Sequence, residues 1–216
     1  AQSNHCRATA AAARLLGLEP HLILRAPAAA LPESGLEGNL MLDRMLDATI
    51  HMVSTSEYVQ AGHAALVERL GKQLEAEGKR PYLIPVGGSN ALGVWGYLSG
   101  LEELRGQLAE LEAEEKESPI DHIVFACGSS GTAAGIAYGA RLSGLSARIH
   151  AVCVCDTPDY FYQKIEEDVT PIGANLLRDG CSRDWLEVHQ GRGIGYAKAT
   201  QEELQMAADV AAATGV

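Results

Sequence analysis

Between Asp121 and Ile136 the chain reads DHIVFACGSSGTAAGI. An apolar run ends in Gly-Ser-Ser-Gly-Thr, and a small-residue helical pattern follows. A buried strand that breaks into such a loop and then a helix leaves few architectures open. The helix start exposes main-chain N–H groups without intrahelical partners, and its dipole favours negative charge there. Gly128 and Gly131 permit close backbone approach, while Ser129, Ser130 and Thr132 add hydroxyls. The combination reads as a cup for a phosphate. A plain Ser/Thr-capped turn is the alternative. No Lys follows as G-K-[ST], so the loop is not of the ATP-binding type.

The rest of the chain repeats this alternation of strand and helix. Helical patterns cover 4–16, 38–48, 57–77, 93–113, 131–142 and 202–213; strand patterns cover 21–25, 49–54, 81–86, 120–127 and 147–154. Residues 156–184 read as loop plus helix. Alternation of this kind predicts an α/β fold with mostly parallel sheets covered on both faces. A boundary is placed near Gly87–Gly88, giving a smaller α/β domain over 1–86 and part of a larger one over 87–216. ELEAEEKES (110–118) reads as a solvated helix end and loop.

With 216 residues the chain can build one large or two small domains. Its formal net charge of -11 argues against nucleic acid or an anionic membrane as partner. No run of 18 apolar residues suggests a membrane span. Five cysteines, without a CxxC pair, suggest reduced thiols in a cytoplasm-like compartment. Cys153, Cys155 and the seven histidines show no repeated ligand spacing, so no metal is expected. GRGIGYA (191–197) is read as a turn, since no apolar strand precedes it and no helix follows directly.

Two further stretches, QSNH (2–5) and GGSN (87–90), each put a Ser-Asn pair at a helix start. Either is a good helix cap. Polar loops at the C-terminal ends of parallel strands also converge on binding crevices.

Taken in order, QSNHCRATAAAARLLGL (2–18), GNLMLDRMLDATIHMV (38–53), PYLIPVGGSNALGVWGY (81–97), HIVFACGSSGTAAGI (122–136) and GYAKATQEEL (195–204) resemble the D-cysteine desulfhydrase and 1-aminocyclopropane-1-carboxylate deaminase family. That family has the tryptophan-synthase-β-like fold, fold type II of the pyridoxal-phosphate enzymes. The resemblance implies two three-layer α/β units and pyridoxal 5′-phosphate as cofactor. It implies a small amino-acid substrate, a homodimer, and elimination of sulfide from D-cysteine to give pyruvate and ammonia. The alternatives are the deaminase reaction and a non-catalytic remnant that binds a phosphate ligand.

By the same resemblance, Gly128, Ser129, Ser130, Gly131 and Thr132 bind the cofactor phosphate. Asn4 bonds the ring's 3-oxygen; Gly88 and Asn90 border the cofactor. Gln2, Ser3, His5 and Ser89 serve the substrate, with Ser3, Asn4 and Tyr196 as the catalytic set. The family's cofactor-bound lysine lies just upstream of the QSN loop, and further pocket residues lie beyond the last helix. Lys72, Lys79, Lys116, Lys164 and Lys198 all read as exposed. The ends AQSNHC and AAATGV read as cuts through a longer protein. This stretch alone is therefore expected to be inactive, and its compartment to be cytoplasmic or mitochondrial.

Overall fold

The structure is a computed structural model that describes residues 2–26, 37–113, 120–196 and 198–215. The chain divides into two compact units, Ala1–Gly88 and Ser89–Val216. Among the described residues no helix is long and apolar enough to cross a membrane.

The first unit runs α1 (Asn4–Leu15), β1 (His21–Ala26), α2 (Gly38–Met45), β2 (Thr49–Ser54), α3 (Thr55–Ala61) and α4 (His63–Ala76). β1 and β2 pair in parallel, His21 opposite Thr49 through Ala26 opposite Ser54. Leu22 and Leu24 alternate inward from β1 and meet Ala10 of α1 and Leu40 of α2 in a small apolar core. The helix expected over 57–77 is two helices. Gly62 sits between them with φ +75°, a conformation that ends one helix and starts the next.

The strand expected over 81–86 is not one. Residues 81–85 have no regular structure and Val86–Gly88 form a short 3-10 turn. Pro81 and Pro85 carry no N–H for a sheet ladder, which removes two donors from a six-residue run.

The second unit runs α5 (Ala91–Ala113), β3 (His122–Cys127), α6 (Ser130–Ser143), β4 (Arg148–Cys153), α7 (Pro158–Val169), α8 (Leu176–Asp179), α9 (Ser182–Trp185), β5 (Glu187–Gln190) and α10 (Gln201–Thr214). β3, β4 and β5 form a parallel sheet in that order. Residues 114–118 of the acidic run lie outside the described residues.

Its core joins Cys127, Ile149, Ala151 and Cys153 of the sheet to α6 and to Phe161, Ile165 and Val169 of α7. The α7 residues recur every four positions, one face of a helix. α6 is packed close because its interior positions are small. A Cβ at Gly135 would come 2.3 Å from Tyr97 Cβ, and one at Gly139 would come 3.2 Å from Leu101 Cβ. β5 was not expected. EVHQ is short and polar, and it is a strand because it pairs with β4. It leads directly into the 191–196 turn, so a strand does precede that glycine-rich stretch.

Candidate functional site

In the second unit the polar loops after β3 and before α5 meet. Ser129 is the N-cap of α6, in extended conformation, and its side chain makes no capping bond. Ser3, Ser54, Thr157 and Thr200, by contrast, each accept a main-chain N–H as caps of their helices. The α6 start therefore keeps amides and the Ser129 hydroxyl for an external acceptor, and the helix dipole selects an anion.

Ser130 is 1% exposed, and its hydroxyl donates to Asp168 of α7. What Ser130 retains for an anion is its N–H. Asp168 also accepts from Lys164 Nζ at 3.1 Å. Gly131 N–H donates to Ser89 Oγ at 3.0 Å, which ties the loop to the segment that enters α5. A side chain at Gly131 would place Cβ 2.9 Å from Ser89 Oγ and 3.2 Å from Ser89 Cα. Asn90 caps α5, its Oδ1 accepting from Gly93 N–H at 2.8 Å. Burial, and then the neighbouring Cys153 and Cys155, pushes the Cys127 thiol up to about 12, so this group at the loop's edge is no nucleophile. All five cysteines are free thiols. Tyr196 lies exposed in the turn after β5.

In the first unit, QSNH forms the start of α1. Ser3 caps it, accepting Cys6 N–H at 3.1 Å and keeping its own hydroxyl proton to donate. The segment is held by Asn39, at the start of α2. Asn39 N–H donates to Gln2 Oε1 at 2.6 Å, and Asn39 Nδ2 donates to Gln2 O at 3.1 Å and to Asn4 Oδ1 at 2.7 Å. Arg7 donates to Asn39 Oδ1 at 3.1 Å. Gly38 makes this approach feasible: it sits at φ +52°, and a Cβ there would lie 2.4 Å from Gln2 Oε1. His5 Nε2 lies 3.4 Å from Thr9 Oγ1 and against Gly88, where a Cβ would come within 3.1 Å. Burial lowers the pKa of His5 and keeps the ring neutral near pH 7.

Gln2, Ser3, Asn4, His5 and Gly88 thus belong to one unit, and Ser89, Asn90, Gly128–Thr132 and Tyr196 to the other. Sequence reasoning overlooked Asn39 and Arg7 as anchors and Asp168 as the partner of Ser130. The GN pair (38–39) was the one local signal, a glycine followed by a side chain able to bond in three directions. Of the lysines, Lys164 is not exposed but half-buried against Asp168 and Glu167; Lys72, Lys79 and Lys198 are exposed. Lys116 lies outside the described residues.

The donor set at the α6 start fits a phosphate monoester: amides at a helix N-terminus, no carboxylate among the loop residues, and two hydroxyls not committed to capping. Comparison with known proteins gives the same direction. The chain is 46% identical over 216 residues to a bifunctional D-cysteine desulfhydrase/1-aminocyclopropane-1-carboxylate deaminase of Arabidopsis thaliana, mitochondrial, covering 100% of this chain and 52% of that protein. It is 37% identical to a putative 1-aminocyclopropane-1-carboxylate deaminase of Thermotoga maritima, covering 100% of this chain and 64% of that one. The chain thus spans roughly half to two thirds of the length of these relatives. Among solved structures, an ACC deaminase homologue superposes with a TM-score of 0.77 at 27% identity, over 100% of this chain and 61% of that one. The family model for pyridoxal-phosphate dependent enzymes matches residues 1–216, and the chain belongs to that family.

Proposed function

We propose that the protein carrying this chain eliminates sulfide from D-cysteine, and that this chain supplies its phosphate loop and its substrate loop. The overall reaction takes D-cysteine and water to pyruvate, hydrogen sulfide and ammonia. The observation that supports the reading most is the uncapped start of α6, where a serine N-cap leaves its helix amides to an outside anion.

The amides of Ser129, Ser130 and Thr132, with the Ser129 and Thr132 hydroxyls, would hold the phosphate of pyridoxal phosphate. Asn4 would meet the ring's 3-oxygen. Its Oδ1 is taken by Asn39, so the group it has left to offer is an NH₂ donor, the polarity that a phenolate oxygen requires. Gly88 and Asn90 would border the ring. When bound, the cofactor supplies an electron sink that makes the Cα proton of an attached amino acid acidic.

The protein's part is positioning and proton handling. Gln2 is fixed by Asn39 and Glu37, so it sets the shape of the substrate loop. Ser3 keeps a hydroxyl proton that can be given to a carboxylate. His5, neutral near pH 7, can take up a proton within that loop. Ser89, anchored on the Gly131 amide, would line the substrate side of the phosphate loop, and Tyr196 is assigned beside the substrate. A homodimer in a cytoplasmic or mitochondrial setting completes the proposal.

The test is turnover by the full-length protein loaded with pyridoxal phosphate. D-cysteine should give sulfide and pyruvate in equal amounts, and L-cysteine far less. A four-carbon 2-oxo acid from 1-aminocyclopropane-1-carboxylate, with no sulfide from D-cysteine, would replace this reading by the deaminase. Binding of the cofactor without turnover of either compound would overturn both.

A further inference from the structure

Three histidines cross the second unit's sheet from strand to strand. His122 Nδ1 lies 2.9 Å from His150 Nε2, and His150 Nδ1 lies 3.0 Å from His189 Nε2. The rings stack in sequence, with centroids 5.1 Å and 5.2 Å apart. Glu187 sits beside the last pair. Its Oε2 is 3.8 Å from His150 Nδ1 and 3.7 Å from His189 Nε2. None of these residues belongs to the loops assigned to cofactor or substrate.

The convergence follows from strand geometry. Glu187 and His189 are two apart on β5 and share a face. His150 on β4 is directly in register with Glu187 in the parallel ladder. Such a group has no repeated spacing along the chain, which is why no metal was expected from the sequence.

The histidines are joined at hydrogen-bond length, whereas Glu187 is not. At 3.7 and 3.8 Å the carboxylate is too far from either ring nitrogen for a hydrogen bond. Ligands held about 2.0–2.2 Å from one ion in a tetrahedron lie about 3.3–3.6 Å from each other. The observed edges of 3.0, 3.7 and 3.8 Å bracket that value.

The outer partner also fits. Metal-bound histidines usually donate their second ring N–H to an acceptor that fixes tautomer and orientation. If His150 Nε2–H donates to His122 Nδ1, then His150 Nδ1 carries a lone pair and faces His189 and Glu187. His189 presents Nε2 after moving its proton to Nδ1, so neutral rings need lose no proton to bind.

We propose that His150, Glu187 and His189 form a Zn²⁺ site, with His122 as the residue that orients His150. Two imidazoles and one carboxylate are a zinc donor set, and the fourth position is open to water. The ion would cross-link β4 to β5, the four-residue strand that leads into the 191–196 turn. Half-exposed His189 and exposed Glu187 leave the site reachable from solvent.

Calorimetric titration of the purified, chelator-treated protein with Zn²⁺ alone tests this. One ion per chain is expected, with a rise in unfolding midpoint of about 5 °C at zinc a hundredfold above Kd. Cobalt(II) in its place should give the visible bands of a four-coordinate N/O site. E187Q/H189Q, at exposed positions, should keep the far-UV spectrum and lose binding at least a hundredfold. H122A should keep the stoichiometry and bind about tenfold more weakly. Absence of zinc uptake, or equal uptake by the E187Q/H189Q variant, overturns the proposal. A sulfur-to-cobalt charge-transfer band would place the ion on cysteines and overturn it as well.

Discussion

Asp168 and Asp43 are both buried aspartates on helices, one in each unit, and they sit in opposite circumstances. Asp168 is 3% exposed and receives the Ser130 hydroxyl and the Lys164 ammonium. Asp43 is fully buried in α2, and neither oxygen has a hydrogen-bond partner among the described residues. Burial raises the Asp43 pKa, with the Arg7 guanidinium pulling the other way. The second unit carries its buried charge inside a satisfied network that also holds the start of α6. The first unit carries one that works against its small core. Buried charge is thus costly or constructive according to its partners.

The contrast should be sharpest on removing each carboxylate. D168A strands the buried Ser130 hydroxyl and leaves half-buried Lys164 with Glu167 alone, and should lower stability by about 2–4 kcal/mol in guanidinium unfolding. An effect below about 1 kcal/mol would show that the network is ornamental to the fold. G135A forces a Cβ into Tyr97 of α5 and should lower stability by about 1–3 kcal/mol by the same measurement. G38A strains the positive-φ start of α2 and pushes on Gln2. It should lower stability by about 1–2 kcal/mol and raise KM for the amino acid, with cofactor absorbance unchanged.

The smallest effect, with the opposite sign, belongs to D43L, which should be neutral or stabilising by about 1 kcal/mol. A raised carboxyl means that the folded chain holds this proton more tightly than the unfolded one. Its contribution is complete below the ordinary value of 3.8 and is lost as pH rises through the raised folded value. Thermal melts across the acid range should show that slope in the parent protein and lose it in D43L.

What the sequence made legible was local. The β3–loop–α6 unit stands out because strand, glycines and helix are contiguous, and the parallel α/β architecture follows from the alternation. Asn39 was hidden because its partners Gln2 and Asn4 are 37 and 35 positions away. Ser130 was read by its neighbours in the loop, although its hydroxyl turns inward to a helix 38 residues on. The apolar run at 81–86 misled because apolarity outweighed the two prolines, and EVHQ was missed because only pairing with β4 makes it a strand. The Ser-Asn pairs remained ambiguous for a physical reason: Ser3 and Asn90 both do cap helices, and capping leaves Ser3 a proton and Asn90 an amide group for other work.

Gly131, Gly135 and Gly139 recur every four residues along α6, facing Ser89, Tyr97 and Leu101 in turn. This makes a rack with teeth one helical turn apart. At 1.5 Å per residue, the next seating of α6 lies about 6 Å away along its axis. Added bulk at these positions would push α6 off its neighbours, so the close packing holds the amides at its start in place. On the reading proposed above, anion affinity is then tuned by exchanging side chains around the loop, since its backbone is held by the packing of the helix behind it.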